Sequence, residues 1–360
     1  MNDLDYMKMA MALALKAKGQ TSPNPLVGAV IVKNGKIIAS GFHRRCGQDH
    51  AEIVALKKAN ANVRGATMYV TLEPCGHYGR TPPCTEAIIK SGIKKVVAGT
   101  KDPNLVNNGK SIRLLNKKGI KTVVGILKND LQRMNEVFFK FIQQKMPFVV
   151  IKCAQTLDGK IATAAGSSKW VTSAATRIFS HKLRDEFDGI LVGVTTVIKD
   201  NPCLCGLKLQ KTLKKIILDP KLRTPFSAKL FKGVDFGQVI IVTSSKADAE
   251  KICKFEKKGV VVLRCPMAGD SFDLKWLFKQ LAAKEITSIL VEGGSRTIGK
   301  ILKSKLADKA LIFIAPKIIG DQQALSAVDG LKIQDINNAL SLNNVSVRRI
   351  GEDIFIEGYL

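Results

Sequence analysis

At 360 residues the chain is long for one hydrophobic core and suits two domains. A hydrophobic fraction of 46% with 24% charged residues excludes a disordered chain, and no apolar run approaches the roughly eighteen residues that a helical membrane span needs. The net charge of +27 divides as +15 over residues 1–146 and +12 over the rest without a block of like charges; with only 6% aromatics to stack on bases, it argues for a lysine-rich surface and phosphorylated ligands rather than for nucleic acid.

Leu4, Met7, Met11 and Leu15 recur at helical spacing and Gly19 stops the run, so a helix is expected over 3–18. Thr21-Ser22-Pro23-Asn24-Pro25 is a rigid turn feeding a strand that runs to Lys33, and Asn34-Gly35 is the two-residue turn of a hairpin into a strand over 36–40. Asn24, between two prolines, carries an amide that could read a pyrimidine edge or serve the turn alone. His43 and the Arg44-Arg45 pair precede a helix over 50–60 and a strand over 66–71. A loop to Pro83, a helix over 84–91 and a strand over 94–99 follow. Asp102-Pro103-Asn104 opens a turn; then come a helix over 109–118, a strand over 121–124 and a closing helix over 130–144. Alternating strands and helices imply α/β layers.

Lys145-Met146-Pro147 marks a boundary between domains 1–146 and 147–360. The second begins with a strand over 148–154. It continues with a helix over 174–187, strands over 189–192, 216–219, 239–243 and 260–263, a helix over 274–283 and a strand over 288–291. That last strand ends in Glu292-Gly293-Gly294, a turn opening a helix whose N–H groups could face a phosphate. A Gly-Gly pair by itself equally marks a tight turn.

The chemistry concentrates between His50 and Cys84. His50, Cys75 and Cys84 are one imidazole and two thiols, a ligand set that suits Zn²⁺ with its fourth position left to water. Glu52, two residues past the histidine, is placed to exchange a proton with that water. Thr81-Pro82-Pro83-Cys84 reads as a helix start, which puts the Cys84 thiolate where the helix dipole favours negative charge. A closed structural site would need a fourth ligand, and Cys46 and His77 are the nearby candidates. The remaining cysteines show no framework spacing and the Met1-Asn2-Asp3 start is acidic, so a reducing cytoplasm is expected. The order and types of these residues are those of the zinc nucleobase deaminases.

Both halves resemble one family, the bifunctional riboflavin-biosynthesis proteins, in which a pyrimidine deaminase is fused to a reductase. The resemblance covers nearly the whole chain. It is carried by residues 21–32, by His50-Ala51-Glu52, by the run from Thr71 to Cys84, by Thr156-Leu157-Asp158-Gly159-Lys160, by Ser168-Lys169-Trp170 and by Val291-Glu292-Gly293-Gly294. The eight residues between Cys75 and Cys84 are themselves discriminating, since nucleic-acid deaminases space these cysteines by two. The resemblance implies an α/β fold, a cytidine-deaminase-like three-layer domain followed by a dihydrofolate-reductase-like domain. It implies a cytoplasmic homo-oligomer that binds a small phosphorylated pyrimidine and neither nucleic acid nor membrane. Two reactions are implied: hydrolytic deamination of 2,5-diamino-6-(5-phosphoribosylamino)pyrimidin-4-one, then NADPH-dependent reduction of the ribosyl side chain to ribityl.

By matching position, His50, Cys75 and Cys84 would hold Zn²⁺, with Glu52 as proton shuttle and Asn24, His43, His77 and Arg80 on the deaminase substrate. In the second half Ala154, Trp170, Thr196, Asp200, Gly293 and Gly294 would contact NADPH, and Lys152, Ser168, Arg184 and Glu292 the substrate. Lys152 and Asp200 are the candidates for protonating or orienting the opened sugar, because hydride delivery to carbon leaves a group that needs a proton. One segment departs from the pattern. Cys203-Leu204-Cys205-Gly206-Leu207-Lys208 stands where the family has a Leu-Thr-Val-Arg run, so Leu207 replaces a phosphate-binding arginine. Lys208 could substitute as a point charge, or the reductase binds its substrate weakly. Pro220 replaces a small polar residue of many members. Two other readings stay open: a deaminase whose second domain is only structural, distinguished by NADPH binding, and a basic nucleic-acid-binding deaminase, distinguished by salt dependence.

Overall fold

The computed structural model describes residues 1–60, 63–79, 81–207 and 213–360. The chain divides between Lys145 and Met146 into two units, each with its own sheet and core.

In the first unit, helix α1 (Asp3–Leu15) starts with a reciprocal cap: the Asn2 side chain accepts from Asp5 N–H and the Asp5 carboxylate from Asn2 N–H. Strands β1 (Gly28–Lys33) and β2 (Lys36–Phe42) form the expected hairpin. Asn34 and Gly35 both lie at positive φ, 50° and 73°, as the two-residue turn requires. There follow α2 (Ala51–Lys58), β3 (Thr67–Leu72), α3 (Cys84–Ser91), β4 (Lys95–Thr100), α4 (Lys110–Lys117), β5 (Lys121–Val124), α5 (Lys128–Met134) and α6 (Glu136–Gln144). The sheet runs β2-β1-β3-β4-β5, antiparallel through β3 and parallel beyond it.

Alternation along the strands gives the sheet two dry faces. Ala29, Ile31, Met68, Val70, Val96 and Ala98 pack with Ala51 and Ala55 of α2 and with Ile88 of α3, while Val30, Val32, Tyr69 and Val97 pack under Tyr6, Met7 and Ala10 of α1. The methionine stripe of α1 is therefore core. A Cβ on Gly28 would stand 2.0 Å from the Ala10 carbonyl oxygen, which is how closely α1 lies on β1. The single helix expected over 130–144 is two, α5 and α6. They break at Asn135, whose buried side chain bonds both the N–H and the carbonyl of Leu26 at 2.7 and 3.0 Å.

The second unit contains β6 (Phe148–Thr156), β7 (Lys160–Ala162), α7 (Ala174–Arg184), β8 (Gly189–Gly193), α8 (Val194–Asp200), β9 (Lys214–Leu218), β10 (Val239–Ser244), α9 (Ala249–Lys257) and β11 (Val261–Cys265). It continues with β12 (Met267–Ala268), β13 (Ser271–Phe272), α10 (Leu274–Ala283), β14 (Ser288–Val291), α11 (Ser295–Lys303), β15 (Lys309–Ala315), β16 (Leu325–Ser326), β17 (Asn343–Ile350) and β18 (Asp353–Tyr359). Among the described residues the main sheet has the order β11-β10-β9-β8-β14-β6-β15-β18-β17, parallel as far as β15 and antiparallel beyond it.

Both faces are covered, as an all-parallel region demands. Val149, Ile151, Leu191, Ile216, Ile289 and Val291 face α10 and α11; Ile190, Val192, Ile217 and Ile241 face α8 and α9. Helices α8 and α9 and strands β15, β17 and β18 are not among the elements the sequence reading located. Strands β8 and β14 are parallel neighbours; β8 ends at Gly193 and β14 is followed by Glu292-Gly293-Gly294, and each leads into a helix, so both turns open at the C-terminal ends of adjacent central strands.

Candidate active sites

In the first unit two helix starts and one strand end meet. His50 is the N-cap of α2, Cys84 the first residue of α3, and Cys75 follows β3. Their ligand atoms lie within 4.8 Å of one another. His50 Nδ1 stands 3.5 Å from Cys75 Sγ and 3.3 Å from Cys84 Sγ, while His50 Nε2 lies 3.3 Å from the Thr81 hydroxyl. One ion held tetrahedrally at usual Zn–N and Zn–S lengths separates such atoms by about 3.6 Å, so the cluster fits zinc. Among the described residues neither Cys46 nor His77 joins it. Three ligands leave one position open, as a catalytic zinc site does.

Of the two thiols only Cys75 favours the anion. The hydrogen bond that Cys84 gives to Cys75, together with burial, pushes the Cys84 thiol well above its ordinary value, so its place at the helix start does not by itself make it a thiolate. The hydrogen bond from Cys84 chiefly drives the Cys75 thiol down to about 4, with help from His50, and the backbone N–H of Cys84 donates to Cys75 Sγ at 3.2 Å. Glu52, in the first turn of α2, is only 3% exposed, and burial, reinforced by the Cys75 charge, lifts its carboxyl to about 7. A group poised there takes or gives a proton near neutrality.

His43 is buried beside the cluster, its ring edge-on to His50 at 5.3 Å. Burial lowers its pKa, so it is neutral. Its partners set the tautomer: Nδ1 donates to the Asp49 carbonyl, and Nε2 accepts from the Asn24 amide, both at 3.1 Å. Asn24, His43, His50 and Glu52 thus share one neighbourhood. His77 is half-buried, and its Nδ1 is buried without a hydrogen-bond partner among the described residues. Arg80 and Lys208 lie outside the described residues.

Sequence reasoning missed the support behind Cys75. Glu73 is buried and accepts from the N–H groups of Asp102 and Gly109 and from the Ser111 hydroxyl, and Asn107 bonds on both sides of Cys75. The Asp102-Pro103-Asn104 turn signal locates this loop but not its task.

In the second unit, Lys152 of β6 and Glu292 come level across the β6–β14 pairing, where Ile151 is opposite Val291. Arg184 of α7 grips Glu292 with a fork, Nε to Oε1 at 2.9 Å and Nη2 to Oε2 at 2.8 Å, the side chains 13% and 9% exposed. Burial works to raise the Glu292 carboxyl, but the Arg184 charge and then Lys152 hold it at about 2. The Lys152 ammonium also lies 5.6 Å over the Phe313 ring.

Thr196, Gly293 and Gly294 are neighbours. A Cβ on Gly293 would stand 3.0 Å from Gly193 N, and one on Gly294 3.9 Å from the Thr196 hydroxyl. Backbone therefore packs on backbone where α8 and α11 begin. Asp200 ends α8 on an exposed turn, and Ala154 sits on β6 opposite Phe313. Trp170 is 63% exposed, with the Arg177 guanidinium 4.4 Å over its ring, so it is not core; half-buried Ser168 lies two residues before it. The Thr156–Lys160 stretch is a turn in which Asp158 accepts from the Thr156 hydroxyl and from Ile319 and Gly320 N–H.

The departing segment is pinned from several sides. Arg184 Nη1 donates to the Cys205 carbonyl, Leu207 N–H donates to Asp185, and the Leu207 side chain is half exposed. Cys203 and Cys205 are disulfide-bonded, a pairing that a framework reading of cysteine spacing passes over. Lys215 was also missed. It lies on β9, 2% exposed, with Nζ on the Leu230 carbonyl at 2.7 Å, and burial followed by the Arg184 charge lowers its pKa to about 8. Lys215 is the second of the Lys214-Lys215 pair that precedes the apolar run Ile216-Ile217-Leu218, and nothing in the sequence sets it apart from its neighbour.

Residues 1–100 match the cytidine and deoxycytidylate deaminase zinc-binding region, and residues 147–356 match the RibD C-terminal domain. The chain is 47% identical to the riboflavin biosynthesis protein RibD of Aquifex aeolicus, covering 98% of this chain and 97% of that one. It is 43% identical to the protein of that name from Actinobacillus pleuropneumoniae, covering 99% and 95%. Among solved structures it resembles the Thermotoga maritima diaminohydroxyphosphoribosylaminopyrimidine deaminase/5-amino-6-(5-phosphoribosylamino)uracil reductase, with TM-score 0.86, 36% identity and coverage of 99% and 98%. It also resembles Acinetobacter baumannii RibD, with TM-score 0.89, 32% identity and the same coverage. The chain belongs to the RibD family of bifunctional riboflavin-biosynthesis enzymes, with a zinc-binding deaminase half and a reductase half of the NADPH-dependent type.

Proposed function

We propose that residues 1–146 deaminate 2,5-diamino-6-(5-phosphoribosylamino)pyrimidin-4-one, and that residues 147–360 reduce the ribosyl side chain of the product to ribityl. The observation that carries the first step is the convergence of His50 Nδ1, Cys75 Sγ and Cys84 Sγ within 4.8 Å beside a buried Glu52. His50, Cys75 and Cys84 would hold zinc, which would supply Lewis acidity towards water. Glu52 takes the proton and returns it to the departing amine, which its pKa of about 7 allows. Neutral His43 and Asn24 orient the pyrimidine edge, His77 offers its Nδ1, which has no partner among the described residues, to the same ring, and Arg80 is assigned to the ribose phosphate.

For the second step NADPH supplies hydride. Thr196, Asp200, Ala154, Trp170 and the Gly293-Gly294 turn hold the cofactor. Ser168, Arg184 and Glu292 hold the substrate, and Lys152 with Asp200 protonates or orients the opened sugar. The forked Arg184–Glu292 pair, level with Lys152, supports this cluster as a preorganised polar site. The test is zinc-loaded protein titrated with NADPH and then given the deaminated substrate. Binding with oxidation supports the reading; binding without oxidation assigns the loss to Leu207, and no binding leaves the second unit structural.

We also propose a cytoplasmic homo-oligomer that does not bind nucleic acid. No described helix is long and apolar enough to cross a membrane, and the +27 charge is spread over both halves. Strand β17 is an open sheet edge, with Val345 and Val347 51% and 64% exposed, the kind of edge a second copy covers. Sedimentation of the wild type and of Val347→Glu tests the assembly; a monomeric wild type refutes it.

A further inference from the structure

The side chain of Asn107 is 1% exposed and spans the turn that carries Cys75. Its Oδ1 accepts from Gly76 N–H at 3.1 Å, and its Nδ2 donates to the Pro74 carbonyl at 3.2 Å. Nδ2 also donates to Asp102 Oδ2 at 3.2 Å. One donor and two acceptors around one carboxamide fix which end is oxygen. The peptide groups on either side of Cys75 are therefore held by a single side chain, and with them the backbone angles that aim the Cys75 thiol.

The clamp is itself anchored. Asp102 N–H donates to Glu73 Oε2 at 3.1 Å, and Glu73 also receives Gly109 N–H at 2.8 Å and the Ser111 hydroxyl at 2.5 Å. Glu73, Asp102 and Ser111 are 3%, 8% and 1% exposed. Glu73 directly precedes the Pro74-Cys75 pair, so the bonds form a closed circuit from the end of β3 through the 101–111 loop and back to Cys75. A buried polar network with its members bonded to one another is rigid. There is little slack around it: a Cβ on Gly76 would meet Ser111 Cβ at 3.2 Å and Asn107 Oδ1 at 3.4 Å.

We propose that Asn107 is a positioning residue of the metal centre, whose carboxamide holds the Cys75 sulfur aimed at His50 and Cys84 before any ion arrives. It touches neither ion nor substrate and acts through Cys75. The inference rests on the reading of His50, Cys75 and Cys84 as the zinc ligands.

The test uses the full chain and Asn107→Ala, with zinc affinity measured by competition against a chromophoric chelator. The expected result is a loss of about 10–100-fold in affinity, together with a changed sulfur-to-metal charge-transfer band in the Co²⁺-substituted protein. NADPH-dependent reduction of deaminated substrate by the same variant should be unchanged, which separates a local effect from misfolding. A second measurement needs no substitution: exchange of the Gly76 amide in the wild type, with and without zinc. Protection in both forms is expected. Wild-type zinc affinity and an unchanged Co²⁺ spectrum in a folded Asn107→Ala protein would overturn the proposal. So would a Gly76 amide that exchanges, without zinc, as freely as that of exposed Tyr78. A wild type that binds no zinc would refute the ligand reading instead.

Discussion

Arg184→Met removes one partner of the forked ion pair in the second unit. In the wild type the Glu292 side chain is only 9% exposed, yet the forked Arg184 guanidinium and Lys152 hold its carboxyl at about 2. Methionine keeps much of the arginine stem's volume and removes the charge and both hydrogen bonds. Breaking one partner of a buried pair costs about 3–5 kcal/mol, because the other charge is left uncompensated. At about 2–4 °C per kcal/mol for a unit of this size, the unfolding midpoint should fall by about 6–20 °C. The pH dependence carries a sign. A folded pKa below the ordinary 4.5 gives stability that is present above about pH 4.5 and lost as pH falls toward 2. In the variant the burial penalty is opposed by Lys152 without Arg184, so the Glu292 pKa rises above its unfolded value and the penalty is relieved by protonation. The gap to wild type should therefore narrow between pH 7.5 and pH 5. Calorimetry at both pH values reads it. A loss under about 1 kcal/mol, or a gap independent of pH, would refute the argument. Arg184→Met with Glu292→Leu should recover part of the midpoint, because the carboxylate left without its guanidinium is gone and Lys152 is the remaining charge of the cluster.

Glu52→Gln should keep one zinc per chain by metal analysis while deamination falls by about 10²–10⁴-fold and reduction of supplied deaminated substrate is untouched; loss of zinc, or activity within a few fold, speaks against the shuttle role. Gly28→Ala drives a Cβ to 2.0 Å from the Ala10 carbonyl, so α1 must lift from β1, and chemical denaturation should show a loss of about 1–3 kcal/mol in the first unit. Lys215 has its pKa depressed to about 8. Between pH 8 and 10.5 the unfolded chain holds more protons, so stability contributed by this site rises with pH. Lys215→Met should remove that rise, on the order of 2–3 kcal/mol; equal slopes in the two proteins would contradict it.

Much of this molecule was legible in its residues, and the exceptions have physical reasons. Turn chemistry and short apolar runs located β1, β2, β3 and the central strands of the second sheet; β1, β3 and the central strands are covered on both faces, so nearly every side chain along them is buried and apolar. The helix α3 and the strand β5 fell where caps and periodicity put them. The break between α5 and α6 was hidden, since Asn135 stops the helix through a bond to Leu26, 109 residues away. Strand β17 escaped because it is exposed along nearly its whole length and shows no inside-outside signal. In the site, His50, Glu52, Cys75 and Cys84 are readable from residue type and spacing. Asn107 and Lys215 are not, because an amide in a polar loop and a lysine in a lysine-rich chain look ordinary until burial is known.

The most direct test of the account follows both reactions in one vessel. Zinc-loaded protein given NADPH and the diaminopyrimidine phosphoriboside should release one ammonia and oxidise one NADPH per substrate. Glu52→Gln should do neither at the wild-type rate until the deaminated uracil is supplied, when NADPH oxidation returns. Oxidation of NADPH by that variant at the wild-type rate without prior deamination, or none by the wild type even with the uracil present, would contradict the two-step reading.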